Sequence, residues 1–326
     1  MISRRPSKPV AHHQKMPRFH RRPQQDGAAL ITAILVVALA ASAAMLLLGR
    51  IDHWIERVAL TRDKAQALEL ARAGIDYARV ALATDARLSR VDTLDEDWAK
   101  VLPPVRGDDS EVTGYIEDLQ GRFNLNTLRR NDGAIDPQAL AAYQRLLGLL
   151  GLPEGLADSL ADWLDADDST RAAGAESAYY NALNPPLRCA NQPLEHFSNL
   201  LRIKGYSPRL MARLEPFAAV LPERQAVNLN TAPAEVLAAI QPGLGLAAAA
   251  ALLRTRQGVY FRDLSDFQNR LPDKNLPPLL VAAGTSSRYF MIHMQVQTGN
   301  SRSRVRALTH RAADGGRPRI LWLATQ

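Results

Sequence analysis

Six carboxylates crowd into the nineteen residues from Asp158 to Glu176: Asp158, Asp162, Asp165, Asp167, Asp168 and Glu176, with Arg171 the one basic residue among them. Repulsion on that scale must be relieved. Asp158, Asp162 and Asp165 stand at i, i+4 and i+7 and share a helical face, while Asp167 and Asp168 open a loop that Gly174 lets turn before Glu176. Hard oxygen ligands brought together through a loop suit calcium, which takes roughly six to eight oxygens with tolerant geometry. Asp162, Asp165, Asp167, Asp168 and Glu176 are the candidate ligand set. The glycine and the final glutamate miss the offsets of an EF-hand. Apart from Cys189 and His196 no thiol or imidazole is near, which argues against zinc. A solvated acidic helix end satisfies the same spacing, and spacing alone does not choose between the two.

Other chemistry finds little footing. His12, His13, His20, His53, His196, His293 and His310 have no serine or cysteine partner pattern, and Cys189, the single cysteine, reads as a small buried apolar residue. No phosphate loop, dinucleotide fingerprint or zinc spacing occurs. No catalytic residue is assigned, and neither an enzyme nor a small-molecule substrate is expected. One cysteine also excludes an intrachain disulfide, so any cross-brace must be of another kind, such as a metal.

The acidic segment sits in residues 128–280, rich in leucine and alanine with helical periodicity. Strand-like texture flanks it. Before it, Val112 to Asn126 carries Val112, Tyr115, Ile116, Leu119 and Phe123 around two glycines, which predicts a short strand pair or hairpin. After it, RYFMIHMQVQ, SRVRALTH and PRILWLAT alternate apolar and polar residues, with turns expected at Gly299-Asn300 and Asp314-Gly315-Gly316. The helical stretch is therefore an insertion in a strand domain built from 85–127 and 281–326. A weak internal repeat runs through it, because Asn124-Leu125-Asn126-Thr127 returns as Asn228-Leu229-Asn230-Thr231, each introducing a helix.

The chain has 326 residues, 47% apolar and 22% charged, with a formal charge of +7 and a pI near 9.7. That charge is concentrated in residues 1–27, where seven basic side chains face Asp26 alone, leaving +1 for the remainder. The basic pI is thus no footprint of nucleic-acid binding. From Ala28 to Gly49 runs AALITAILVVALAASAAMLLLG, 22 residues without a formal charge, enough to span a bilayer. Basic residues before it and mixed charge after it place the N-terminus in the cytoplasm and the bulk outside. Ile51, Ile55, Val58, Ala65, Leu68, Ala71, Ile75, Ala78 and Leu82 continue the pattern at helical steps, and no proline occurs between Pro23 and Pro103. One helix over 28–84, roughly 85 Å long at helical rise, is expected. A secretory signal cut at Ala41-Ser42-Ala43, or an unprocessed anchor, remains an alternative on this evidence.

A basic leader ending in Gly27, followed at once by an apolar helix that becomes amphipathic, resembles the type IV pilin and pseudopilin class. The resemblance implies removal of the leader 1–27 by a prepilin peptidase after Gly27 and methylation of Ala28. That class mostly carries a glutamate at the fifth mature position. Here that position is Thr32, so the carboxylate that would compensate a neighbour's buried amine is missing, as suits a subunit at a tip. Taken with GYIEDLQGRFNLNTL, DWLDADDSTRAAGAESAYY and VNLNTAPAEVLAAI, in that order, the chain resembles the general secretion pathway protein K family of type II secretion minor pseudopilins along essentially its whole length. The resemblance implies an α+β pilin-like fold, a long N-terminal helix with an antiparallel sheet and a large inserted α-helical domain. It also implies bound calcium, anchoring in the bacterial inner membrane, and assembly with the I, J and H kinds of minor pseudopilin and the major one. Against it stands a second resemblance. Residues 227–268 look like a helix-hairpin-helix unit, Pro242-Gly243-Leu244-Gly245 being the hairpin, as in membrane-anchored competence DNA receptors. The helix after it lacks an early lysine, and only Arg254, Arg256 and Arg262 lie near, so no nucleic acid is expected.

Overall fold

A computed structural model describes residues 26–299, 301–312 and 315–325. The expected leader, except its last two residues, lies outside the described residues, as do the turn residues Asn300 and Asp314. The chain divides into two units, 1–59 and 60–326. The described part of the first is helical, the beginning of α1 (Asp26–Leu88), with apolar side chains from Leu30 to Leu48 exposed throughout. It is the one helix among the described residues long and apolar enough to cross a membrane.

In the second unit α1 continues four residues beyond the expected Thr84. It stops where the Ser89 hydroxyl, accepting from Val91 N–H at 3.1 Å and donating to Val91 C=O at 2.7 Å, turns the backbone away. Ala67, Ala71, Ile75, Ala78 and Leu82 form its buried face. Ala65, assigned to that face from spacing, is exposed, and Ala67 occupies the contact instead. Alanines there let the helix lie close on a five-stranded antiparallel sheet of order β1-β2-β7-β8-β9. Its members are β1 (Leu102–Arg106), β2 (Ser110–Asp118), β7 (Tyr289–Thr298), β8 (Ser301–His310) and β9 (Arg319–Thr325). Ile116, Phe290, Ile292, Met294, Val296, Val305 and Ala307, at alternate positions along their strands, supply the sheet's side of this core. The three closing strands fall where alternation places them. The hairpin differs from expectation: its first strand, β1, precedes Val112, while Phe123 lies beyond the sheet.

Everything between β2 and β7 is the insertion. It contains β3 (Phe123–Asn124), α2 (Pro137–Leu149), α3 (Leu156–Leu164), α4 (Ser177–Asn181), α5 (Pro208–Leu214), β4 (Ala218–Ala219), β5 (Val227–Asn228), α6 (Ala234–Ile240), α7 (Leu246–Gly258), α8 (Leu264–Asn269) and β6 (Ala283–Gly284). Local chemistry sets the starts. Asp136 accepts from Gln138 and Ala139 N–H with Pro137 at the first turn of α2, and Ser207 and Pro208 open α5 the same way.

The Asn-Leu-Asn-Thr repeat marks a duplicated scaffold. β3 pairs in parallel with β4, and β5 with β6. In the first copy the buried Asn126 amide accepts from Leu194 N–H at 2.8 Å and donates to Leu194 C=O at 2.9 Å; in the second, Asn230 holds Phe261 at 2.8 and 2.9 Å. An asparagine matches a peptide group donor for acceptor, so each clamp satisfies backbone that would otherwise be buried unpaired. The first copy is longer between clamp and target, and the acidic segment is part of that extra chain.

Candidate metal centre

The last turn of α3 and the loop after it bring three of the five expected ligands together. Asp162 lies on α3. Asp165 sits one residue past the helix end, its backbone extended (ψ 174°) rather than continuing the helical face. Glu176 immediately precedes α4, yet its side chain does not cap that helix. One carboxylate oxygen from each of Asp162, Asp165 and Glu176 lies within 4.8 Å of the others, and all three side chains are buried. Gly174 permits this approach, since a Cβ there would overlap the Asp162 carboxylate.

Asp167 and Asp168 do not join them. Both are exposed, Asp167 accepting from Ser169 N–H at 2.8 Å and Asp168 from Ser177 N–H at 3.2 Å. Asp158 accepts from Ala173 N–H at 3.2 Å and so pins the returning loop. Sequence spacing had no means of separating these roles, because it does not encode where the loop folds back.

Charge is poorly balanced inside the cluster. The Arg171 guanidinium donates to Asp162 Oδ1 and Asp165 Oδ2, each at 2.6 Å, so three carboxylates and one cation leave a deficit of two. Asp165 Oδ1 and both Glu176 oxygens are sealed from solvent with no hydrogen-bond partner within normal geometry, the Cys189 thiol being near enough only to pull the Glu176 carboxyl down a little. Burial, then the charges of Asp165, Asp162 and Asp168, pushes the Glu176 carboxyl up to about 7. Burial also raises Asp165, against the pull of Arg171. Unpaired carboxylate oxygens in a buried pocket are costly unless something positive meets them. The donor set fits a hard divalent cation. Cys189, with its sulfur 3.7 Å from Asp162 C=O, is a neutral thiol pushed up to about 12 by burial and is no ligand for a soft metal.

A second acidic group, Asp85, Asp92 and Glu96, shows what a self-satisfied cluster looks like. Arg311 bridges Asp85 and Asp92, Ser287 N–H reaches Asp92 at 2.7 Å, and Thr93 N–H and Trp98 Nε1 both donate to Glu96 at 2.8 Å. No orphaned oxygen remains there, and no metal is indicated.

In the structure the helix-hairpin-helix segment is braced on one side only. α6 and α7 flank the hairpin, whose Gly243 has φ +79°, but Leu276 packs so close that a Cβ at Gly243 would come within 2.6 Å of it. Gln241 Nε2 ties the same turn to Pro277 C=O at 2.7 Å. Arg256 is buried and donates to Leu229 and Ala232 C=O, each at 2.7 Å, while Arg262 lies 3.7 Å from Asp266. Leu276 and Pro277 brace one side of the turn and Arg256 is turned inward, but Gly243, Gly245 and Arg254 are exposed, so the case against phosphate binding is the missing early lysine and the scarcity of cations.

At the other end, Gly27 and Ala28 lie within α1, and the Thr32 hydroxyl donates to Ala28 and Ala29 C=O at 3.1 and 2.9 Å.

Two family models match the chain, both described as type II secretion system protein K, over residues 121–223 and 227–284. The chain is 36% identical over 306 residues to the type II secretion system protein K of Pseudomonas aeruginosa, covering 89% of this chain and 90% of that protein. To the protein K of Aeromonas hydrophila it is 28% identical over 312 residues, covering 89% and 94%. Among solved structures it resembles a chain of the GspK-GspI-GspJ complex from the enterotoxigenic Escherichia coli type 2 secretion system. The TM-score is 0.73 at 25% identity, with 83% of this chain and 99% of that one covered.

Proposed function

The chain belongs to the type II secretion system protein K family and is a minor pseudopilin of that system; on that premise we propose that it sits at the tip of the pseudopilus, starting and capping its assembly. The observation that supports this is the interruption of its own sheet. β2 and β7 are hydrogen-bonded neighbours from Ser110↔Thr298 to Asp118↔Phe290, yet the whole helical insertion lies between them in sequence. A subunit carrying that bulk beside its strands is ill suited to being covered by another copy. Thr32 agrees with the same reading, because position five offers no carboxylate to a subunit ahead. I-type and J-type minor pseudopilins are the partners this role requires, as in the complex from Escherichia coli. The role is structural, with no residue assigned to catalysis. The apolar part of α1 anchors the chain in the inner membrane, with the insertion and sheet on the periplasmic side.

Mass spectrometry of the purified full-length membrane protein tests processing. A mature N-terminus at methylated Ala28 is expected, and an intact leader or a cut near Ala43 would remove the pseudopilin assembly helix from the argument. The same preparation should contain I-type and J-type minor pseudopilins in equal amount. Their absence would remove the tip assignment.

We further propose that Asp162, Asp165 and Glu176 hold a calcium ion, with Asp167 and Asp168 at the rim. The orphaned oxygens of Asp165 and Glu176 support it. A bound cation would fasten the end of α3 to the start of α4 in a chain without disulfides.

A further inference from the structure

Within the acidic cluster one atom of Arg171 does the bridging. Its Nη1 donates to Asp162 Oδ1 and to Asp165 Oδ2, each at 2.6 Å. Calcium holds carboxylate oxygens at about 2.3–2.6 Å, so a cation shared by these two aspartates would take the place this nitrogen has. The nitrogen does not reach the third acid. An Nη carries a pair of hydrogens, and both are spent on the aspartates. Asp165 Oδ1 and the two Glu176 oxygens are left over, whereas calcium gathers roughly six to eight oxygens around one centre. Arg171 therefore neutralises part of what a divalent ion would neutralise more fully.

The backbone of Arg171 is held independently of its side chain. Its N–H donates to Asp162 Oδ2 at 3.1 Å, and its C=O accepts from Gly174 N–H at 3.0 Å. The aspartate side chains are 0% and 1% exposed, but that of Arg171 is 28% exposed, which places the guanidinium at the mouth of the cluster. Outside the mouth stand the exposed Asp167 and Asp168. Rotation about its own side-chain bonds carries the guanidinium into water beside them while the loop stays pinned to Asp162. Resting on the calcium reading above, we propose that Arg171 is a resident counter-ion which an entering calcium ion displaces: the guanidinium leaves Asp162 and Asp165 for solvent, the loop backbone keeps its place, and Arg171 sets how weakly the site binds. An arginine that stayed behind to orient the two aspartates would do the opposite and tighten binding.

The test titrates calcium into the detergent-solubilised full-length protein and follows its melting temperature. Arg171→Gln is expected to melt below wild type in EDTA, having lost its counter-ion, and to bind calcium about tenfold more tightly or better, the least that one charge-assisted hydrogen bond no longer given up is worth. Arg171→Lys keeps a charge able to bridge the same oxygens and should show a smaller gain. On the unmodified chain, phenylglyoxal labelling of Arg171, read by mass spectrometry, should be slow in EDTA and several-fold faster in calcium, while the exposed Arg254 on α7 labels equally in both. That measurement carries the test if a variant fails to fold. A wild type that responds to calcium while Arg171→Gln binds it no more tightly, or while labelling of Arg171 does not quicken, overturns the displacement and leaves the calcium site standing. A wild type whose melting and labelling both ignore calcium overturns the two together.

Discussion

Replacing Glu176 with glutamine should make the protein more stable without calcium and indifferent to it. Without a cation, Glu176 is held near 7 instead of 4.5. The folded state therefore binds its proton more tightly than the unfolded chain, and stability falls as pH rises from about 4.5 to about 7. Above that window the side chain must ionise in place, at a cost of about 3 kcal/mol by the usual conversion of a pKa shift. Glutamine removes that cost. Calcium removes it differently, by meeting the charge. Arg171 already holds one oxygen each of Asp162 and Asp165 at 2.6 Å and must yield, which places the dissociation constant near the weak end for calcium proteins, on the order of 10⁻⁴ M. At about 10 mM calcium, roughly a hundredfold excess over that constant, the stabilisation is about 2.7 kcal/mol. For a body of this size that corresponds to a rise in melting temperature of roughly 5–10 °C. Calorimetry of the detergent-solubilised full chain at pH 8, in EDTA and in calcium, supplies the four melting temperatures. Expected are E176Q above wild type in EDTA, a clear rise for wild type in calcium, and almost none for E176Q. Coincident wild-type curves in EDTA and calcium would refute the metal assignment. A wild type more stable than E176Q in EDTA would show that another group already compensates Glu176.

Gly174→Ala should destabilise the fold by about 1–3 kcal/mol, the usual cost of forcing extra volume into a packed site, because the new Cβ overlaps the Asp162 carboxylate; its melting temperature should also lose the response to calcium. Asn230→Ala strips both hydrogen bonds from the Phe261 peptide and should cost about 2–6 kcal/mol, since each buried backbone group left unpaired costs about 1–3. Urea unfolding should show a lower midpoint with an unchanged slope. Asn126→Ala frees the Leu194 peptide in the same way and the Leu221 carbonyl besides, and should lower the midpoint further.

Period and alternation made the scaffold readable from residues alone. The apolar steps from Ala71 to Leu82 name the contact face of α1 correctly, and β7, β8 and β9 follow from their alternating texture. Ala65 was misplaced because small residues at both 65 and 67 satisfy a helical stripe, and only the position of the sheet decides between them. β1 was missed because Pro103 and Pro104 suppress a strand signal, although prolines are tolerated on the edge strand that β1 is. At the metal centre, composition announced the carboxylates but not their arrangement. Asp165 leaves the helical face that i+7 spacing gives it, and Arg171, in the sequence no more than a lone base, turns inward onto two of the acids.

The repeated asparagines carry a consequence for how the insertion is held. Asn228 occupies the place in the second copy that Asn124 has in the first, but its amide points out of the scaffold, donating to Asp118 Oδ2 at 2.9 Å and to Asp92 C=O at 3.2 Å. Asp118, the last residue of β2, also accepts from Gln120 N–H at 2.8 Å and from the Thr231 and Ser287 hydroxyls at 2.6 Å each. Ser287 lies just before β7 and donates its N–H to Asp92, which Arg311 at the end of β8 holds in turn. Burial raises the Asp118 carboxyl, while these donors oppose the rise. One buried carboxylate thus joins the point where the chain leaves the sheet, the junction between the two copies, and the point where it returns. An insertion tied to its sheet only by two peptide strands would swing on them. Tied through Asp118 at three places, it is fixed to the sheet it interrupts, as the proposed capping of the pseudopilus by its bulk requires.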